Sequence, residues 1–166
     1  SFQFESDLEV TADRLRVGVN QSETPTLLQM SSSSLVLTDA SVGAPQGDFS
    51  SLQVLSDAAL AVTRLDVGVA GDAELILKES LVQAARLRVG YAPIDALDTY
   101  SGRLELRGNV ALEGDLFELQ GSLDLTGVAS PMQFNSFVID ALGQATFPGN
   151  GGQVENSGLL QVASGG

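Results

Sequence analysis

The 166-residue chain contains no cysteine, no histidine and no tryptophan. Without cysteine there is no disulfide and no thiolate metal site. Without histidine the commonest general base and the commonest zinc ligand are gone, and neither a Ser-His-Asp nor a Cys-His set can be built. Basic residues are scarce: 8 Lys and Arg stand against 21 Asp and Glu, for a net charge of −13. A surface this acidic argues against nucleic acid and anionic membrane as partners, since both need a basic footprint. No apolar run reaches the eighteen residues of a spanning helix, so no membrane insertion is expected. No leader-like opening is visible, and the first residues read as a mature or trimmed start. Hydrophobic residues still make up 43% of the chain and charged ones only 17%, which is too apolar for a disordered polypeptide.

What is present in abundance is a repeat. Arg14-Leu15-Arg16-Val17-Gly18-Val19 returns as Arg64-Leu65-Asp66-Val67-Gly68-Val69 and again as Arg86-Leu87-Arg88-Val89-Gly90-Tyr91. Ala40-Ser41-Val42-Gly43 is a weaker copy, so the glycines at 18, 43, 68 and 90 step by 25, 25 and 22 residues. A period in this range marks a coil that stacks on copies of itself. Within each period an apolar-x-apolar triplet recurs. In a strand, residues i and i+2 share a face, so each triplet sends two side chains inward and one outward.

These triplets predict an all-β fold: a single parallel β-solenoid, or β-helix, with three short strands per coil and about six to seven coils. The glycine after the third strand is expected to take a positive φ at a corner. An antiparallel sandwich also uses short alternating strands, but it has no reason to repeat one of them at a fixed step. Residues 1–130 read as solenoid coils. Residues 131–166, which carry Phe134, Phe137 and Phe147, break the pattern and read as an irregular terminal coil, cap or docking tail of the same domain. The neutral stretch Val82-Gln83-Ala84-Ala85 is compatible with either strand or helix.

Stacking aligns the outward residues into rows. The first-strand row reads Gln3, Gln29, Gln53, Ile76, Glu105 and Asp124, and the third-strand row reads Arg16, Ser41, Asp66, Arg88 and Glu118. Amide stacking and mixed-charge pairing give both rows structural roles. The second-strand row, Glu9, Val36, Ala61, Val82 and Ala111, is mostly apolar and predicts a lateral contact. With Phe2 and Phe4 at the N-terminal end, these residues make a set expected to support homo-oligomerisation through an end or through the stripe. The longest insertion holds Tyr91, Asp95, Asp98 and Tyr100, an aromatic-carboxylate set suited to a glycan or a cation.

Catalytic signals are weak. Carboxylates occur throughout, none in a recognisable acid-base motif, and no phosphate loop or dinucleotide fingerprint exists. Gly47-Asp48, Gly71-Asp72 and Gly114-Asp115 precede strands but lack the spacing of calcium-binding repeats, so they read as turns. No enzyme activity, metal or cofactor is therefore expected. The Leu-x-Val-Gly, polar loop, Leu-x-Leu phrasing over about residues 2–127, clearest in Arg14–Val19, Arg64–Val69 and Arg86–Tyr91, resembles repeats of bacterial autotransporter passenger domains and related surface adhesins. That resemblance implies an extracellular or cell-surface place. A noncatalytic structural or adhesive protein is expected, a self-assembling fibre or sheath subunit. The alternative is a carbohydrate-binding or carbohydrate-active β-helix module using the lateral loops.

Overall fold

The computed structural model describes residues 2–5, 8–18, 25–44, 49–69, 71–90, 101–124, 132–139, 144–146 and 154–162. Short strands β1 (Phe2–Glu5), β3 (Thr26–Ser31), β5 (Ser50–Leu55), β7 (Ala73–Lys78), β9 (Gly102–Arg107), β11 (Ser122–Asp124) and β13 (Gln144–Thr146) form one sheet in that order. Longer strands β2 (Glu9–Val17), β4 (Ser34–Val42), β6 (Ala59–Val67), β8 (Leu81–Val89), β10 (Ala111–Leu119), β12 (Met132–Ile139) and β14 (Val154–Val162) form the other. All described pairings are parallel, and each strand pairs with the equivalent strand of the next coil. The molecule is a parallel β-solenoid. Among the described residues no helix occurs, and Val82-Gln83-Ala84-Ala85 lies within strand β8.

Among the described residues two strands per coil replace the three expected, because the second and third triplets belong to one nine-residue strand. Its pattern is apolar-x-apolar-x-x-apolar-x-apolar. In β4 the buried residues are Leu35, Leu37, Ala40 and Val42, and in β6 they are Leu60, Val62, Leu65 and Val67. The two consecutive outward positions, Thr38-Asp39 and Thr63-Arg64, interrupt the alternation once. Strict alternation would turn the second apolar pair to solvent, so the strand bends there and keeps both pairs inward. The evenly built part is shorter than six to seven coils. Among the described residues, β3–β4, β5–β6, β7–β8 and β9–β10 are the coils that join a six-residue strand to a nine-residue one.

The core is a set of apolar rows along the axis. Val17, Val42, Val67, Val89 and Leu119 form one, each nearly inaccessible to water. Leu28, Leu52, Leu75, Leu104 and Leu123 form another on the opposite sheet. Each fully buried leucine or valine contributes roughly 1.5–3 kcal/mol, so these rows dominate stability. Beyond residue 130 the sheets continue. Strand β12 stays in register with β10 from Leu112↔Met132 to Leu119↔Ile139, and β14 follows β12 with one shift between Phe134 and Ser136. The three phenylalanines read as part of a cap split accordingly. Phe134 and Phe137 are buried in the rows of β12, with Phe137 stacked on Phe117 at 4.6 Å between ring centroids. Phe147 lies outside the described residues.

Among the described residues two kinds of corner differ in backbone chemistry. After the long strand, Gly18, Gly43, Gly68 and Gly90 take φ of 123°, 103°, 70° and 74°, as the Val-Gly repeat predicts. At Gly68 a Cβ would lie 2.4 Å from the Cα of Gly102, so the glycine also permits contact between neighbouring coils. After the short strand, Ser32, Ser56 and Glu79 occupy the left-handed region with φ of 46°, 42° and 49°, and Gly108 takes the same place one coil later. Their amides are held along the axis: Ser32 N–H donates to the Ser56 carbonyl and Glu79 N–H to that of Arg107.

Candidate functional site

The register separates the three outward faces. On the short-strand sheet, Gln3, Gln29, Gln53, Ile76, Glu105 and Asp124 align as the repeat predicts. The buried carboxylate of Glu105 lies 3.1 Å from Arg103 and also pairs with Arg107. On the second half of the long strands, Arg16, Ser41, Asp66, Arg88 and Glu118 align. Here an unbroken chain of ion pairs runs across the coils. Asp39 bridges Arg14 at 3.9 Å and Arg64 at 3.0 Å, and Arg64 reaches Asp66 at 3.6 Å. Arg88 lies 3.9 Å from Asp66 and 3.5 Å from Glu118, which Arg86 also binds at 2.6 Å. Exposed pairs contribute roughly 0.2–1 kcal/mol each, more when networked, so this face is best suited to holding coils in register.

The first half of the long strands differs. The predicted stripe of Val36, Ala61, Val82 and Ala111 is not one row. Val36 and Ala61 do align and face outward, with Val36 41% exposed. Val82 is fully buried between Leu60 and Leu112, and Ala111 stands opposite Leu81. The true outward row continues from Val36 and Ala61 to Gln83, Glu113 and Gln133. The cause is the size of the inward residues. Ala84 and Gly114 hold the positions that Leu37 and Val62 hold in earlier coils, so the apolar signal there is faint and the triplet slides by one or two places.

Along this face runs a groove of about 830 Å³ from β4 to β12. The row of Gln83, Glu113 and Gln133 flanks it on one side, and Thr63, Asp115 and Asn135 stand two residues further along each strand. Val36, Ala61 and Ala85 give it low apolar ground. Its chemistry is amide, hydroxyl and carboxylate, and no lining residue is cationic. Asn135 Nδ2 donates to Asp115 Oδ1 at 2.8 Å, tying two neighbouring coils together.

Other sequence-predicted sites fall elsewhere. Tyr91, Asp95, Asp98 and Tyr100 lie outside the described residues, as does the pair Gly47-Asp48. Phe2 and Phe4 belong to β1 at the edge of the short-strand sheet, opposite Leu28 and Met30. Of the remaining Gly-Asp pairs, Gly71-Asp72 precedes β7, and Asp72 accepts hydrogen bonds from the Ser101 amide and hydroxyl at 2.8 and 3.0 Å; Gly114-Asp115 is not the turn expected but lies inside β10, where Asp115 accepts from Asn135. Among the described residues no group of three or more Asp and Glu is arranged to hold a metal ion.

The triplet pattern alone does not mark the groove row. Aligning each coil backward from the last apolar residue of the eight-residue pattern, Val89, Leu119 or Ile139, and not on separate triplets, brings Gln83, Glu113 and Gln133 together. No protein-family model matches the chain, and no curated protein or solved structure matches it. The fold class, a parallel β-solenoid, therefore rests on the register and the repeats alone.

Proposed function

We propose that the chain is a noncatalytic structural or adhesive rod segment of a bacterial cell surface. The observation that carries the reading is the chain of ion pairs from Arg14 to Glu118, laid along the long-strand sheet, whose strands β2 to β12 keep one register. A seven-stranded sheet at 4.8 Å per step spans about 30 Å, and side chains spent on axial pairing favour stiffness over chemistry. The surface location rests on the repeat-level resemblance to passenger domains and adhesins. Homo-oligomerisation belongs to the same proposal: the edge strands β1 and β2, or β13 and β14, present backbone groups on which a second copy can continue the stack.

Electron microscopy of the purified chain tests the rod, and light scattering across protein and salt concentration tests its association. Filaments, or a mass that rises with concentration and with salt as like charges are screened, support the proposal. A strictly monomeric mass at high concentration in high salt removes the self-association. Turnover of a polymer that is lost on replacing Glu113 or Asp115 overturns the noncatalytic reading. A second reading, a carbohydrate-binding module, gains support from the groove over β4 to β12.

A further inference from the structure

We propose that the groove binds a neutral polysaccharide chain, extended along the solenoid axis. The inference deepens the adhesive half of the functional reading by naming the ligand class and the site. The first argument is chemical. Gln83, Gln133 and Asn135 bring amides, Thr63 a hydroxyl, and Glu113 and Asp115 carboxylate acceptors. Together they supply both donors and acceptors, which is what a sugar hydroxyl needs, since it offers one of each. The low ground of Val36, Ala61 and Ala85 suits the apolar C–H face of a pyranose ring.

The second argument is geometric. Gln83, Glu113 and Gln133 sit on successive coils in one register. Their spacing is therefore the strand spacing of about 4.8 Å, close to the advance of one pyranose unit in an extended chain. A groove crossing five strands is about 20 Å long at that spacing, long enough for a short oligosaccharide.

The third argument is charge. Two carboxylates and no cation line the groove, which disfavours uronic acids and sulfated or phosphorylated glycans. A basic peptide satisfies the charge but not the backbone. Extended peptides gain most of their affinity by adding to a sheet edge. Strands β4 to β12 are paired on both sides, so their main chain offers a peptide nothing.

The test is a glycan panel of neutral and acidic polymers, followed by titration calorimetry of neutral hexasaccharides, with polygalacturonate and an Arg-rich peptide as comparators. The expected result is binding of at least one neutral glycan that strengthens with chain length up to the groove length. Gln83→Ala and Gln133→Ala should each weaken it about tenfold or more. Ala85→Trp, which fills the groove from an outward position, should abolish it while leaving the thermal melt unchanged. Absence of any neutral binder at millimolar ligand overturns the proposal. So does tighter binding of polygalacturonate or the peptide, and so does neutral-glycan binding that survives Ala85→Trp. Failure of this kind leaves rods in electron micrographs untouched, so it is distinct from failure of the rod reading.

Discussion

Ser33, Ala58, Ser80 and Val110 occupy one inward corner position in successive coils, each at most 7% exposed. The backbone bonds on either side fix the stack: Leu81 N–H donates to the Ala58 carbonyl, and Ala111 N–H to that of Ser80. The Ser80 hydroxyl is buried and has no hydrogen-bond partner. It sits between the methyl of Ala58 and the isopropyl group of Val110, both 1% exposed. Burying an unsatisfied hydroxyl costs about 1–3 kcal/mol, and Ser80→Ala removes that cost while keeping the Cβ that packs. Allowing for a lower-end cost in a small group, the variant should gain about 1 kcal/mol. For a chain of 166 residues this is a rise of about 2–4 °C in Tm. Ser33 is the internal control. Its Oγ is also unpartnered, but a cavity of about 10 Å³ adjoins it, lined by Leu8, Val10, Met30, Leu35 and the polar neighbour Ser34. That is the smallest space able to take one water, which would satisfy the hydroxyl. Ser33→Ala should therefore gain less than Ser80→Ala. Urea and thermal melts of both variants give the comparison. A lower midpoint for Ser80→Ala, or a larger gain at Ser33, refutes the reasoning.

Gly68→Ala should lose about 2 kcal/mol or more, because φ is 70° and the new Cβ meets the Gly102 backbone at 2.4 Å; a melt within 1 °C of the parent contradicts this. Glu79→Gly should be neutral to stabilising by about 0.5–1 kcal/mol, since its left-handed φ of 49° is taken by Gly108 in the next coil; a loss of stability, read as a lower urea midpoint, shows that the glutamate makes a needed contact. Arg88→Met keeps the aliphatic stem but cuts the ion-pair chain between Asp66 and Glu118, at a cost of about 0.5–1 kcal/mol. That cost should shrink in 1 M salt, and a salt-independent difference would assign the effect to packing.

The parallel stacking was legible because the Val-Gly corner is both apolar and conformationally constrained. Val17, Val42, Val67 and Val89 need a dry interior, and Gly18, Gly43, Gly68 and Gly90 need a positive φ, so both requirements repeat at one spacing. The corner after the short strand carried no such mark. Ser32, Ser56 and Glu79 adopt the left-handed conformation without glycine, and polar residues in that place look like any loop. The bend inside the long strand was illegible for a related reason. A pair such as Thr38-Asp39 is two outward residues in a row, which resembles a turn between two strands until the backbone shows one continuous strand. The charge row was readable because Arg16, Asp66 and Arg88 lie within the strongest copies of the repeat, and Glu118 falls at the same place in the apolar-x-apolar triplet Phe117-Glu118-Leu119. Its extension to Arg14, Asp39 and Arg64 depends on the bend, since Asp39 falls one residue beyond the break in alternation.

The groove and the error that hid it have one origin. Inward from the outer row, the positions of β4, β6, β8, β10 and β12 are Leu37, Val62, Ala84, Gly114 and Phe134. Volume falls over the first four of these coils and then rises sharply. Phe134 leans on Gly114, where a Cβ would come within 2.6 Å of the Phe134 ring and 1.9 Å of the Ala84 carbonyl oxygen. Its ring also meets Phe117 at 5.3 Å, so one large side chain fills space that its small neighbours leave. Interiors pack to nearly constant density, and this exchange satisfies that demand without an even row of leucines. A triplet search weights each coil by its own bulky residues and so loses Ala84 and Gly114. It then assigns Val82 and Ala111 to the surface, and the polar row beside them disappears from view. In solenoids the reliable unit of alignment is therefore the complementary set of neighbouring coils, not the apolarity of any one coil.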